Sequence, residues 1–190
     1  MAYYKRPPIN ELNLFFFDCE TGGLRPALAD MVEVACVLTD CTGETILDEY
    51  CAKVFPVKEV HPRAAAVNGY TAEKWATEAI DLDKAMVPLL RMANNALFTA
   101  HNVAFDWGFF EFAMATRAMR WPSDYHRIDT VALAHPLLVS RRVSNVKLVT
   151  LAKYFGFEFA DAHSALADAH MCRKVYCELM KLYAPFFDQA

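Results

Sequence analysis

Asp18 and Glu20 stand two residues apart at the end of the apolar run Leu14-Phe15-Phe16-Phe17. On an extended backbone side chains alternate, so these two carboxylates share one face, roughly 6–7 Å apart along the chain. Two anions so placed repel each other unless a cation joins them. Taken alone, the pair reads equally as a strand end with solvated acids, with Gly22 and Gly23 making the turn. Acids further along decide the matter. Asp106 closes His101-Asn102-Val103-Ala104-Phe105-Asp106 and falls in the first turn of a helix, where the macrodipole favours an anion. Asp168 lies within a helix among Ala165, Leu166, Ala167 and Ala169, where a carboxylate is costly without a partner. His163 sits at or just before that helix, and Asp129 reads as a capping residue. Four acids and an imidazole make an oxygen-rich set, suited to Mg²⁺ or Mn²⁺ rather than zinc. Two such ions about 3.5–4 Å apart can clamp the attacking and leaving oxygens of a phosphodiester. A neutral imidazole beside them can take the proton of water.

The elements that must position these groups follow from the patterning. The spacing predicts a strand over about 13–18, a valine-rich strand over 31–39 and a third over 44–55. Asp40-Cys41-Thr42-Gly43 forms the hairpin turn between the last two. Short helices are predicted over 62–67, ended by Asn68-Gly69, and after Thr71, whose start signal is imperfect. A helix over 81–93, a strand over 96–100 and a helix over 105–119 come next. A very short strand at Arg127-Ile128 leads to a helix over 131–138, a loop carrying Arg141 and Arg142, and a helix over 146–155 ended by Gly156. The final helix runs from about Ser164 to Leu182. Strands first, then strands alternating with helices, give an α/β fold: a mixed sheet, antiparallel then parallel, flanked by helices. Residues 1–12 read as a loosely attached lead-in, 13–183 as a single domain and 184–190 as a short tail.

Composition narrows the function classes. The 190 residues are 55% hydrophobic, enough for one domain with a substantial core. The net charge of −4 advertises no global basic field, although four acids held by cations would leave the chain nearly neutral. No apolar stretch approaches the ~20 residues of a membrane span. The six cysteines form no C-x-x-C pair and read as reduced, mostly buried thiols of a cytoplasmic protein.

Asp18-x-Glu20-Thr21-x-Gly23-Leu24, His101-Asn102-x-x-Phe105-Asp106 and His163-x-x-x-x-Asp168 resemble, in order, the three motifs of the DEDDh 3′–5′ exonucleases. That family includes the proofreading subunit of DNA polymerase III and RNase T. The resemblance implies a ribonuclease H-like fold. It implies that Asp18, Glu20, Asp106 and Asp168 hold two divalent cations and that His163 is the general base. Thr21, Gly23, Leu24, Asn102 and Phe105 would meet the terminal nucleotide. The sequence departs at Gly22, where many members have threonine. The implied activity is hydrolysis of single-stranded or frayed nucleic acid from its 3′ end, DNA favoured over RNA, releasing nucleoside monophosphates. A polymerase or a second copy would be the protein partner. A noncatalytic interaction module on the same fold is the contrasting reading, and a metal-dependent endonuclease a third. Arg141 and Arg142 are the expected phosphate contacts.

Overall fold

The computed structural model describes residues 7–158 and 163–187; residues 1–6 of the lead-in and 188–190 of the tail lie outside the described residues. Strand β1 (Asn13–Thr21) is the centre of the molecule. β2 (Met31–Thr39) pairs antiparallel with it, and β3 (Ile46–Lys53) antiparallel with β2. On the other side β4 (Ala96–Ala100) and then β5 (Arg127–Asp129) run parallel to β1. The sheet order is β3-β2-β1-β4-β5, the mixed sheet that the patterning predicts.

Seven helices surround the sheet among the described residues: α1 (Pro62–Asn68), α2 (Ala72–Glu78), α3 (Leu82–Met92), α4 (Val103–Ala115), α5 (Thr130–Val139), α6 (Leu148–Tyr154) and α7 (Ala165–Phe187). Both faces of β1 are covered, which is why its sequence is a continuous apolar run. Phe15 and Phe17 point into one core, with Met86 and Leu89 of α3 and Phe109 and Phe110 of α4. Leu14 and Phe16 point into the other, against Ala169, Cys172 and Tyr176 of α7. Burying such an aromatic side chain contributes about 1.5–3 kcal/mol. No helix among the described residues is long and apolar enough to cross a membrane.

Several boundaries differ from the sequence expectation, each for a local reason. β1 runs three residues further, to Thr21, because the ladder with β2 continues through Asp18↔Ala35 and Glu20↔Glu33. β3 starts later, at Ile46, because the Asp40 carboxylate accepts from the Thr42 amide at 3.1 Å and the Thr42 hydroxyl at 2.7 Å, which keeps Glu44 and Thr45 in the turn. α4 starts at Val103 and stops at Ala115, closed by the Met119 N–H donating to the Met114 carbonyl. α6 starts two residues later, at Leu148, because the Asn145 side chain accepts from the Lys147 amide and the Thr150 hydroxyl. α7 extends to Phe187, into the segment expected to be a tail. The lead-in is also more firmly held than expected: Ile9–Glu11 form a single 3-10 turn, and Leu12 is buried in the core. Thr71 caps α2 despite its imperfect signal, its hydroxyl accepting from the Lys74 amide at 3.2 Å. Of the six cysteines, Cys19, Cys36 and Cys172 are buried, Cys177 is half-buried, and Cys41 and Cys51 are exposed.

Candidate active site

β4 pairs with β1 only as far as Phe16↔Thr99. Beyond that point the β1 edge has no strand beside it, and its amides need other acceptors. Asp106 supplies one. Its Oδ1 accepts from the Cys19 N–H at 3.2 Å, and the residue is 3% exposed. Two local features place Asp106 there. Asn102 turns the chain sharply between β4 and α4 with φ of 68°, a left-handed conformation that asparagine tolerates better than most residues. Asp129 then fixes the turn, its Oδ1 accepting from the amides of Asn102 at 3.1 Å and Val131 at 2.9 Å. Asp129 is therefore the cap that the sequence indicates, and also a staple between the starts of α4 and α5. His101 lies behind it, Nδ1 2.9 Å from the Thr130 hydroxyl, and burial holds its imidazole below the usual range.

Asp18 and Glu20 lie in adjacent same-face positions of β1, as the alternation requires. Asp168 comes from the first turn of α7, which covers that face. His163 precedes the helix with φ of 75°, and its side chain is exposed. One ligand atom each from Glu20, His163 and Asp168 lie within 4.8 Å of one another. Asp168 Oδ1 is buried with no hydrogen-bond partner among the described residues.

The electrostatics follow from this crowding. Burial, then the charges of Asp106, Asp168, Glu20 and Glu33, push the Asp18 carboxyl well above the usual range. Burial and the charges of Asp168 and Glu33 push Glu20 up to about 7, while a hydrogen bond from the Asn68 side chain pulls it back. Burial pushes Asp106 to about 7 against the Cys19 hydrogen bonds, and Asp168 to about 6 against the His163 backbone. Four carboxyls that disfavour one another's charged forms, with a buried oxygen left over, form a donor set that fits hard divalent cations.

A cleft of about 930 Å³ opens beside this cluster and meets it at Glu20. Thr21, Gly23, Leu24 and Phe105 line it; Asn102 does not, and its exposed side chain lies outside that lining. Leu24 is 85% exposed on the lip. A Cβ at Gly22 would come 3.3 Å from Val60 Cγ2, so glycine suits this turn where a threonine would need Val60 to yield. Arg25 and Arg63 line the cleft, whereas Arg141 and Arg142 sit on the exposed loop after α5 and do not. Two further residues join the site from outside the three main motifs. Asn68 donates to the Thr21 carbonyl at 3.1 Å, and Glu33 lies opposite Glu20. An acid between Val32 and Val34 was a readable signal for Glu33; the register was not.

Comparisons with known proteins give the family and the fold. The chain is 28% identical over 166 residues to a PolC-type DNA polymerase III of Thermotoga petrophila, covering 87% of this chain and 12% of that one. It is 24% identical over 168 residues to the DNA polymerase III epsilon subunit of Treponema pallidum, covering 88% and 76%. The fold matches the zinc-bound form of E. coli exonuclease I with single-stranded DNA, with a TM-score of 0.78 and 22% identity, over 94% of this chain and 42% of that one. The family model described as exonuclease (RNase_T) matches residues 15–176, nearly the whole sheet and its helices, and the chain belongs to that family.

Proposed function

We propose that this domain is a divalent-metal-dependent 3′–5′ exonuclease that removes nucleoside monophosphates from single-stranded or frayed ends, of DNA in preference to RNA. The observation that carries it is the gathering of ligand atoms of Glu20, His163 and Asp168 within 4.8 Å, with Asp18 and Asp106 as neighbouring acids at the same end of β1, beside an open cleft that Glu20 lines. Asp18, Glu20 and Asp168 would hold one cation, and Asp18 with Asp106 a second, Mg²⁺ or Mn²⁺ in each case. When bound, such ions supply positive charge that acidifies water and neutralises the phosphate. The chain does the rest. Asp106 is fixed by the Cys19 amide, so its free oxygen is already oriented. His163 takes the proton of the attacking water on a ring nitrogen. Leu24 wedges against the terminal base, the Thr21 backbone meets the sugar, and Gly23 leaves room for it. Phe105 lines the cleft, and the exposed Asn102 side chain is free to meet the strand. The DNA polymerase III relatives support DNA as the substrate and a polymerase as the partner.

Digestion of matched DNA and RNA oligonucleotides, labelled at either end, tests this. A 5′-labelled DNA strand should give a ladder of shortened products with Mg²⁺ or Mn²⁺ and stay intact in EDTA. Internal cuts, or no cleavage, would overturn it.

A further inference from the structure

Glu33 on β2 is the direct cross-strand partner of Glu20 on β1. Such partners share a face with Cβ atoms about 4.5–5.5 Å apart, and like charges there destabilise the sheet. Glu33 is only 8% exposed, so water screens little of that repulsion. The cation across its other edge relieves it only in part, drawn to Glu33 but ion-paired elsewhere. Lys53 is paired with Glu33 in the β2–β3 ladder, but its Nζ lies 2.6 Å from Glu78 and over the Trp75 ring. Among the described residues Glu33 has no basic group within ion-pair reach. Its hydrogen bond is from Cys51 Sγ at 3.4 Å, and a thiol is a weak donor. A buried carboxylate held this way, facing another acid, costs stability unless a cation is drawn to the pair.

We infer that Glu33 is a fifth carboxylate of the cation site, a positioning residue that strengthens ion binding through Glu20 and Asp168 without ligating an ion itself. This rests on the metal-dependent reading above. Glu33 stands outside the group of ligand atoms that Glu20, His163 and Asp168 bring within 4.8 Å, so it acts by its field and not as a donor. The same repulsion that weakens the ion-free protein becomes attraction for a divalent cation placed among those three.

The test uses the full chain stripped with EDTA, with Mn²⁺ binding followed by calorimetry and melting followed at pH 8 with and without the ion. Glu33→Gln should bind Mn²⁺ about tenfold more weakly, the scale of one removed charge in a partly screened site. It should also melt at a higher temperature than wild type without the ion. Glu33→Asp, which keeps the charge, should restore most of the affinity. Cys51→Ala removes the thiol contact and should leave affinity unchanged. Wild-type affinity in Glu33→Gln would overturn the inference. So would a lower ion-free melting temperature, which would make Glu33 a structural residue of the sheet. Absence of Mn²⁺ uptake by the wild type would remove the metal-dependent reading itself, a result distinct from any behaviour of the variants.

Discussion

The first half of β1 and its last half sit in one strand and meet opposite surroundings. Phe15, Phe16 and Phe17 are buried among other rings, with the Phe15 centroid 5.8 Å from Phe98 and that of Phe17 5.0 Å from Phe110. Aromatic pairs in such edge and tilted arrangements add to the area they bury. Directly after them, Asp18 and Glu20 face like charges from α4, α7 and β2. The aromatic half holds the sheet together, and its stability offsets the cost of the acidic half. Repulsion of this kind persists where a ligand of opposite charge resolves it.

The contrast breaks most sharply at Asp18 and Phe15. Asp18→Ala should lower cleavage of a 5′-labelled strand by about 10³–10⁴-fold, the several kcal/mol that a bound cation supplies. Its melting temperature in EDTA should be equal to or above that of the wild type. Phe15→Ala should do the reverse: a stability loss of about 3–5 kcal/mol by denaturant titration, with specific activity retained in the folded fraction. An Asp18→Ala protein that melts well below wild type would erase the distinction between the two halves.

His163→Ala sharpens it within the acidic half. Turnover should fall by about 10²-fold or more, as for loss of a general base. Mn²⁺ affinity should change far less than in Asp168→Asn, which removes a proposed ligand. Equal losses of affinity in the two variants would make His163 a ligand.

The pH dependence of the metal-free protein comes next. Unfolded carboxyls titrate near 3.9 for Asp and 4.3 for Glu. In the fold Glu20 and Asp106 are raised to about 7 and Asp168 to about 6. A raised acid binds its proton more tightly when folded, so stability is highest below the unfolded value and falls as pH rises through the folded one. In EDTA the melting temperature should therefore drop between pH 5 and pH 8, by about 2–4 °C for each kcal/mol lost in a chain of this size. Saturating Mg²⁺ should reverse the drop at pH 8. A melting temperature that climbs over this range in EDTA would mean that these carboxyls already have partners.

The smallest effect separates two arginine pairs. Replacing Arg25 and Arg63, which line the cleft, should make the salt dependence of single-strand binding shallower by about 0.7 per lost phosphate contact. Replacing Arg141 and Arg142 should change the slope less. Ca²⁺ in place of Mg²⁺ suppresses cleavage during that measurement. The opposite ranking would return the phosphate contacts to the loop after α5.

The chain itself determined the strand order of the opening meander, the helix caps at Thr71 and Asp129, and the types and spacing of the five motif residues. These depend on neighbours within a few positions, where alternation, capping and turn chemistry act. Tertiary structure decided what depends on register and on distant segments meeting. It carried β1 on to Thr21 and set Glu33 opposite Glu20, because the ladder with β2 continues past the point where β4 stops. It joined the Cys19 amide to Asp106, 87 positions away, because that edge of β1 had no strand left to bond. It also put Arg25 and Arg63 on the cleft instead of Arg141 and Arg142. Exposed charges carry no periodic signal of their own, so only the packing of the elements beneath them fixes which surface they reach.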